Sequence, residues 1–172
     1  MNPSPWVIRW AQGETALDVA CGSGRHVRWL CGRGMRVTGI DRDTAATGPL
    51  HEVAEIITAD IENSAWPLGS RQFDLVLATN YLWRPLLPTL IAAVAPGGRL
   101  LYETFAIGQQ TVGRPARSEF LLQPGELLAA CAGLRVIGYE DGFEAGRYVQ
   151  RIAAVKEQGS AEPYPRYALA AE

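Results

Sequence analysis

Gly22 and Gly24, inside the run LDVACGSGRH, and the carboxylates Asp41 and Asp60 further along are the residues whose types and placement could do chemistry. Closely spaced glycines let a backbone turn tightly and let a ligand approach it, and where such a turn opens a helix its amide donors favour an anionic or polar group. Asp41 closes the run RVTGID. A carboxylate there can accept two hydrogen bonds from a ribose diol, as acidic residues do in nucleotide-binding sheets. Asp60 follows EIITA and could accept from an exocyclic amine. Each feature alone is an ordinary loop, cap or turn. Together, each after an apolar run, they describe a site for a nucleoside with a polar tail.

Short apolar runs at residues 16–20, 36–40, 55–58, 73–79 and 98–105 would position these groups. They are apolar on both sides of the pleat, which is how buried parallel strands read. Between the first two, Val27, Leu30, Cys31 and Met35 recur at helical spacing, closed by Gly32 and Gly34. Leu86, Leu87, Leu90, Ile91 and Val94 form a second stripe, begun near Pro85 or Pro88 and stopped by Pro96-Gly97-Gly98. Trp6, Arg9 and Trp10 suggest a short helix before the first strand, and Pro124 opens another that contains Leu127, Leu128 and Cys131. Residues 134–140 and 147–156 then read as an antiparallel hairpin turning over residues 141–146. The fold class expected is α/β: a Rossmann-like, mostly parallel seven-stranded sheet with a C-terminal antiparallel hairpin and helices on both faces. Ligands on such sheets bind beyond the carboxyl ends of the strands, at the switch point. The connections at residues 42–54 and 61–72 hold at most a turn or two of helix, so thin cover is expected near the third strand.

A chain of 172 residues, 48% hydrophobic and 20% charged, has the makeup of one globular domain. Sixteen basic against eighteen acidic residues leave a formal charge of −2, which gives no broad positive field for a long nucleic acid. Cys21, Cys31 and Cys131 are odd in number and lack metal-type spacing. That pattern points to a reducing compartment, with neither a disulfide framework nor a zinc site. With no leader pattern and no run of about 18 apolar residues, a cytoplasmic location and no membrane partner are expected. The domain is expected over residues 1–156, with residues 157–172 as a tail that is a mobile arm or a contact with a second subunit. The oligomeric state is not legible.

LDVACGSGRH, GIDRD, ITADIE, FDLVLATNYLWRPLLP and VAPGGRLLYETF resemble, in order, the motifs of class I S-adenosylmethionine-dependent methyltransferases, over about residues 6–156. NYLWRPLLP, LLYETF and GRPARSEFLLQPGEL look most like small bacterial members related to the tellurite-resistance methyltransferases. The resemblance implies S-adenosylmethionine as cofactor. It places Asp18, Ala20, Cys21, Gly22 and Gly24 around the methionine end, Asp41 on the ribose hydroxyls and Asp60 on the adenine amino group. Arg42 would stack on the base, Ile61 would cover a face of the ring, and Asn80 and Tyr81 would lie where the methyl group meets its acceptor. One departure is His26, which stands where many members carry a third glycine. A nicotinamide-dependent dehydrogenase needs the third glycine of its own fingerprint for helix packing, and that position here is Val27.

A sulfonium methyl group is already electrophilic, so alignment supplies most of what such a transfer needs and no residue is nominated as catalytic. Tyr81 and Trp83, just past the fourth strand, and Arg84, Arg114 and Arg117 are the acceptor-binding candidates; Tyr102 and Phe105 read as core. Arg114 and Arg117 belong to a loop over residues 106–123, long enough to be a lid, and suit an anionic acceptor such as an oxyanion, carboxylate or phosphate. Glu103, in an apolar strand, needs a partner, most simply an arginine. His26 and His51, the two histidines, have no metal-ligand partner. The acceptor preferred is a small molecule, with RNA methylation and a non-catalytic S-adenosylmethionine-binding module as the alternatives.

Overall fold

A computed structural model describes residues 2–159 and 164–169. Seven strands form one sheet: β1 (Thr15–Val19), β2 (Arg36–Asp41), β3 (Glu55–Thr58), β4 (Phe73–Thr79), β5 (Val94–Phe105), β6 (Arg135–Glu144) and β7 (Arg147–Val155). Their spatial order is β3-β2-β1-β4-β5-β7-β6. β1 to β5 pair in parallel, and β7 runs antiparallel between β5 and β6. The order reverses between β1 and β4, the crevice where a ligand meets strand ends on this kind of sheet.

Helices cover both faces, as the apolar runs require. Alternate residues along each strand supply two cores. Ala16, Val37, Leu75, Leu77, Leu101 and Ala153 pack under α1 (Pro5–Trp10) and α2 (Arg25–Gly32). Leu17, Val76, Leu100, Tyr102 and Ile152 pack under α4 (Leu87–Ala92) and α5 (Glu126–Ala130). Fully burying an aliphatic side chain is worth about 1.5–3 kcal/mol, so these two layers carry the fold. β3 is thinly covered: Ile56 and Ile57 are only half-buried, and the preceding connection holds the one-turn α3 (Thr44–Thr47) and a short 3-10 turn.

Two expected boundaries move. The β6–β7 turn is narrower than residues 141–146, because Asp141 to Glu144 continue β6 in register with Arg147 to Gln150, and only Ala145 and Gly146, both at positive φ, make the turn. β5 starts at Val94, ahead of Pro96-Gly97-Gly98, and a register shift against β4 absorbs that tripeptide. Among the described residues no helix is long and apolar enough to cross a membrane. Part of the expected tail lies outside the described residues; of the rest, the Leu169 carbonyl accepts from Arg9 Nη2 at 2.7 Å and the Tyr167 hydroxyl donates to Glu157 at 3.2 Å.

Candidate active site

β1 delivers Asp18 and Ala20 into the glycine turn. Ala20 and Gly22 both lie at positive φ, near 54°, and Gly24 caps α2 at φ 74°. A Cβ on Gly24 would strike Leu50 at 2.4 Å, so position 24 excludes a side chain on steric as well as conformational grounds. At Gly22 a Cβ would meet no atom within 4 Å, which leaves room for a ligand against the backbone. Asp41, at the end of β2, accepts the Gly22 amide on Oδ2 at 2.7 Å and the Asp43 amide on Oδ1 at 2.9 Å. Those bonds occupy one lone pair on each oxygen and leave the other free. Asp60 accepts from the Glu62 and Asn63 amides on Oδ1 and from Asn63 Nδ2 on Oδ2, and these bonds hold its carboxyl below the ordinary range.

A cleft of about 540 Å³ opens over these strand ends, lined by Ala20, Asp41, Arg42, Asp60, Ile61, Glu62 and Tyr81 among others. A larger hollow of about 970 Å³ includes Thr15, Arg36, Glu55 and Arg71. Thr15, Arg36 and Glu55 begin their strands, so that hollow lies at the opposite end of the sheet.

A second cavity of about 530 Å³ adjoins the first and shares Glu62 and Tyr81 with it. Asn80, Thr104 and Phe105 from the ends of β4 and β5 line it, and Pro115 and Phe120 line it from the long loop. Asn80 turns the chain at φ 55°, with its amide donating to the Glu103 carbonyl at 2.9 Å. Tyr102, in the core as expected, donates its hydroxyl to the Tyr81 carbonyl at 2.8 Å and so fixes the tyrosine that divides the cavities. The Tyr81 hydroxyl is buried beside Glu62; burial, then the charge of the Glu62 carboxylate and a hydrogen bond to it, raise its pKa and keep it protonated.

Beneath the glycine turn lies a buried polar cluster. Asp18, 1% exposed, takes the Val27 amide while its Oδ2 has no hydrogen-bond partner. Desolvation pushes its carboxyl up to about 8 against the opposing pull of Arg25. His26 is also buried, which drives its pKa down to about 4 with help from Arg25. The neutral ring accepts the Ser4 amide on Nε2 at 3.1 Å, which leaves the proton on Nδ1, 3.4 Å from the Thr79 hydroxyl. Ser4 also donates its hydroxyl to Glu103 at 2.9 Å and caps α1 through the Trp6 amide. Glu103 finds the expected arginine in Arg151, at 3.6 Å.

The cofactor candidates Ala20, Asp41, Arg42, Asp60 and Ile61 thus meet in one cleft, and Gly22 joins them through its bond to Asp41. Cys21 is buried, its thiol pushed up to about 12 by desolvation, and is chemically inert. Asn80 borders the second cavity instead of the first, beside Tyr81. Trp83 packs against the core under α4. Arg84 grips both Glu126 oxygens, at 2.6 and 2.9 Å, and the carbonyls of Glu119 and Leu121, so it anchors the long loop. Arg117 pairs with Glu119 and stacks over Phe120, while Arg114 is exposed, with its carbonyl accepting from Gln109. Sequence reasoning passed over Glu62, Pro115 and Phe120. No spacing rule marks them, although Glu62 directly follows the Asp60-Ile61 pair.

Residues 16–98 match the family model described as "Methyltransferase domain". A trans-aconitate 2-methyltransferase of Paracidovorax citrulli is 33% identical over 144 residues, covering 74% of this chain and 54% of that protein. A tRNA U34 carboxymethyltransferase of Haemophilus influenzae is 33% identical over 108 residues, covering 56% of this chain and 34% of the relative. The chain therefore spans about half of the first relative and a third of the second. In structure, a TehB-like SAM-dependent methyltransferase of Corynebacterium glutamicum superposes with a TM-score of 0.62 at 20% identity, covering 86% of this chain and 82% of the other. The chain thus carries a match to a methyltransferase domain over residues 16–98 and shares the fold of S-adenosylmethionine-dependent methyltransferases of known structure.

Proposed function

We propose that the chain binds S-adenosylmethionine in the first cleft and transfers its methyl group to a small molecule held in the second. The observation that carries this reading is the pair of adjoining cavities at the sheet's switch point, divided by Tyr81 and Glu62. The first cavity suits the cofactor in its parts. Asp41 keeps a free lone pair on each oxygen for a ribose diol, and Asp60 has acceptor capacity left beside Ile61 for an adenine edge. The open face of Gly22 and the unpartnered Asp18 Oδ2 lie where the methionine end belongs.

When bound, the cofactor supplies an activated methyl group. The chain's task is then orientation and exclusion of water, and orientation can contribute roughly 7–11 kcal/mol to lowering a barrier. Tyr102 and the Asn80 turn fix the dividing tyrosine, and Arg84 holds the loop that brings Pro115 and Phe120 over the acceptor space. A small molecule is favoured because the loop flanks the second cavity and the chain's charge is −2. Calorimetry with S-adenosylmethionine and S-adenosylhomocysteine tests the cofactor half. Labelled cofactor in a cell extract, with label followed into metabolites, RNA and protein, tests the other. Native protein that binds neither nucleoside would sink the proposal, and label appearing in RNA alone would reassign the acceptor.

A further inference from the structure

We infer that the acceptor is an amine, which docks as its ammonium ion on Glu62 in the cavity beyond Tyr81; this deepens the methyl-transfer reading and rests on it. Glu62 is the one carboxylate or cation among the residues lining that cavity, and it also lines the cofactor cleft, so it stands at their junction. None of the arginines nearby is among the residues that line that cavity. Arg84 is held by Glu126 and two backbone carbonyls, and Arg117 by Glu119. Arg42 lines the cofactor cleft beside Asp60, and Arg114 is exposed and absent from the lining. An oxyanion or carboxylate in this space would therefore face Glu62 with no lining cation to offset the repulsion. An ammonium ion would gain the carboxylate as a partner and the rings of Tyr81, Phe105 and Phe120 as a wall suited to cations.

The step balances. The docked ammonium loses a proton through the Glu62 carboxylate to solvent, which frees the nitrogen lone pair. That lone pair forms the new N–C bond as the methyl donor's S–C bond breaks and its electrons return to sulfur. The nitrogen then carries the positive charge that the sulfonium gives up, still beside Glu62. The anionic acceptor that the loop arginines suggested in the sequence is not what this lining favours.

The test uses the full chain saturated with S-adenosylhomocysteine, whose own affinity is measured first. Benzylamine, benzyl alcohol and benzoate, alike in shape and different in charge, are then titrated in separately by calorimetry. Benzylamine is expected to bind about tenfold or more tighter than benzoate. Glu62→Gln, compared at saturating S-adenosylhomocysteine, should erase that preference, and wild-type selectivity decides the matter even if the variant fails to fold. Benzoate binding as tightly as benzylamine, or benzylamine failing to bind protein that does bind S-adenosylhomocysteine, overturns the amine inference and leaves methyl transfer standing. Loss of S-adenosylhomocysteine binding in the native wild-type protein removes both.

Discussion

Replacing Asp41 with asparagine should weaken S-adenosylhomocysteine binding as well as the fold. The Asp41 oxygens each accept one backbone amide, from Gly22 at 2.7 Å and from Asp43 at 2.9 Å. An asparagine offers one carbonyl oxygen and one amino group, so one of those amides would face a donor. Hydrogen bonds to a charged group are worth about 1.5–3 kcal/mol. Loss of one such bond to the ribose diol, which the proposed role assigns to the remaining Asp41 lone pairs, corresponds to a 10- to 150-fold rise in Kd, taking about 1.4 kcal/mol per factor of ten. Asp43→Ala supplies the control. It removes the α3 cap, where Asp43 Oδ1 accepts the Ala45 and Ala46 amides at 3.0 Å each, for about 0.5–2 kcal/mol of stability. Asp43 does not line the cleft, so its loss should leave affinity within about threefold. Calorimetry gives the two affinities and urea unfolding the two stabilities. If both variants raise Kd equally, or Asp41→Asn leaves it unchanged in folded protein, the assignment of Asp41 to the cofactor is wrong.

Stability against pH should expose the buried cluster under the glycine turn. His26, held down to about 4, stays neutral in the fold while the unfolded chain takes up a proton below 6.5. Its contribution is therefore complete above pH 6.5 and is lost as pH falls toward 4. Asp18, raised to about 8, has the opposite sign: its contribution is complete below 3.8 and is lost as pH rises toward 8. Each slope is at most about 1.4 kcal/mol per pH unit, so the two oppose one another between 4 and 6.5 and only that of Asp18 remains from 6.5 to 8. Denaturant midpoints for the wild type should fall over the upper window and those of Asp18→Asn should not; parallel profiles would refute this. Ser4→Ala, which removes the α1 cap and a bond to the buried Glu103, should cost about 2–4 kcal/mol in urea unfolding, and a loss below about 0.5 kcal/mol would show the latch to be idle. Arg84→Ala should loosen residues 106–123 by about 1–2 kcal/mol, read as 5- to 30-fold faster limited proteolysis there with S-adenosylhomocysteine affinity unchanged. Unaltered cleavage would mean that the loop is held by other contacts.

The sequence by itself determined the sheet, the helices on both faces and the residues that meet in the proposed cofactor cleft. Buried parallel strands announce themselves as short runs apolar on both sides, and the groups at their carboxyl ends are fixed by local position, one strand end at a time. Gly22, Gly24, Asp41 and Asp60 could thus be placed without knowing how the strands pair. Only the tertiary structure decided what each charged side chain spends itself on. Arg84 reads in one dimension like a ligand for an anion, and its partner Glu126 lies 42 residues away. Glu62 reads like an ordinary turn residue until the ends of β4 and β5 and the loop carrying Phe120 converge around it. Ser4, His26 and Glu103 likewise meet across 99 residues of chain. Backbone conformation at a strand end follows from neighbouring residues, whereas the charge balance of a cavity is a sum over distant ones, and that sum exists only once the chain has folded.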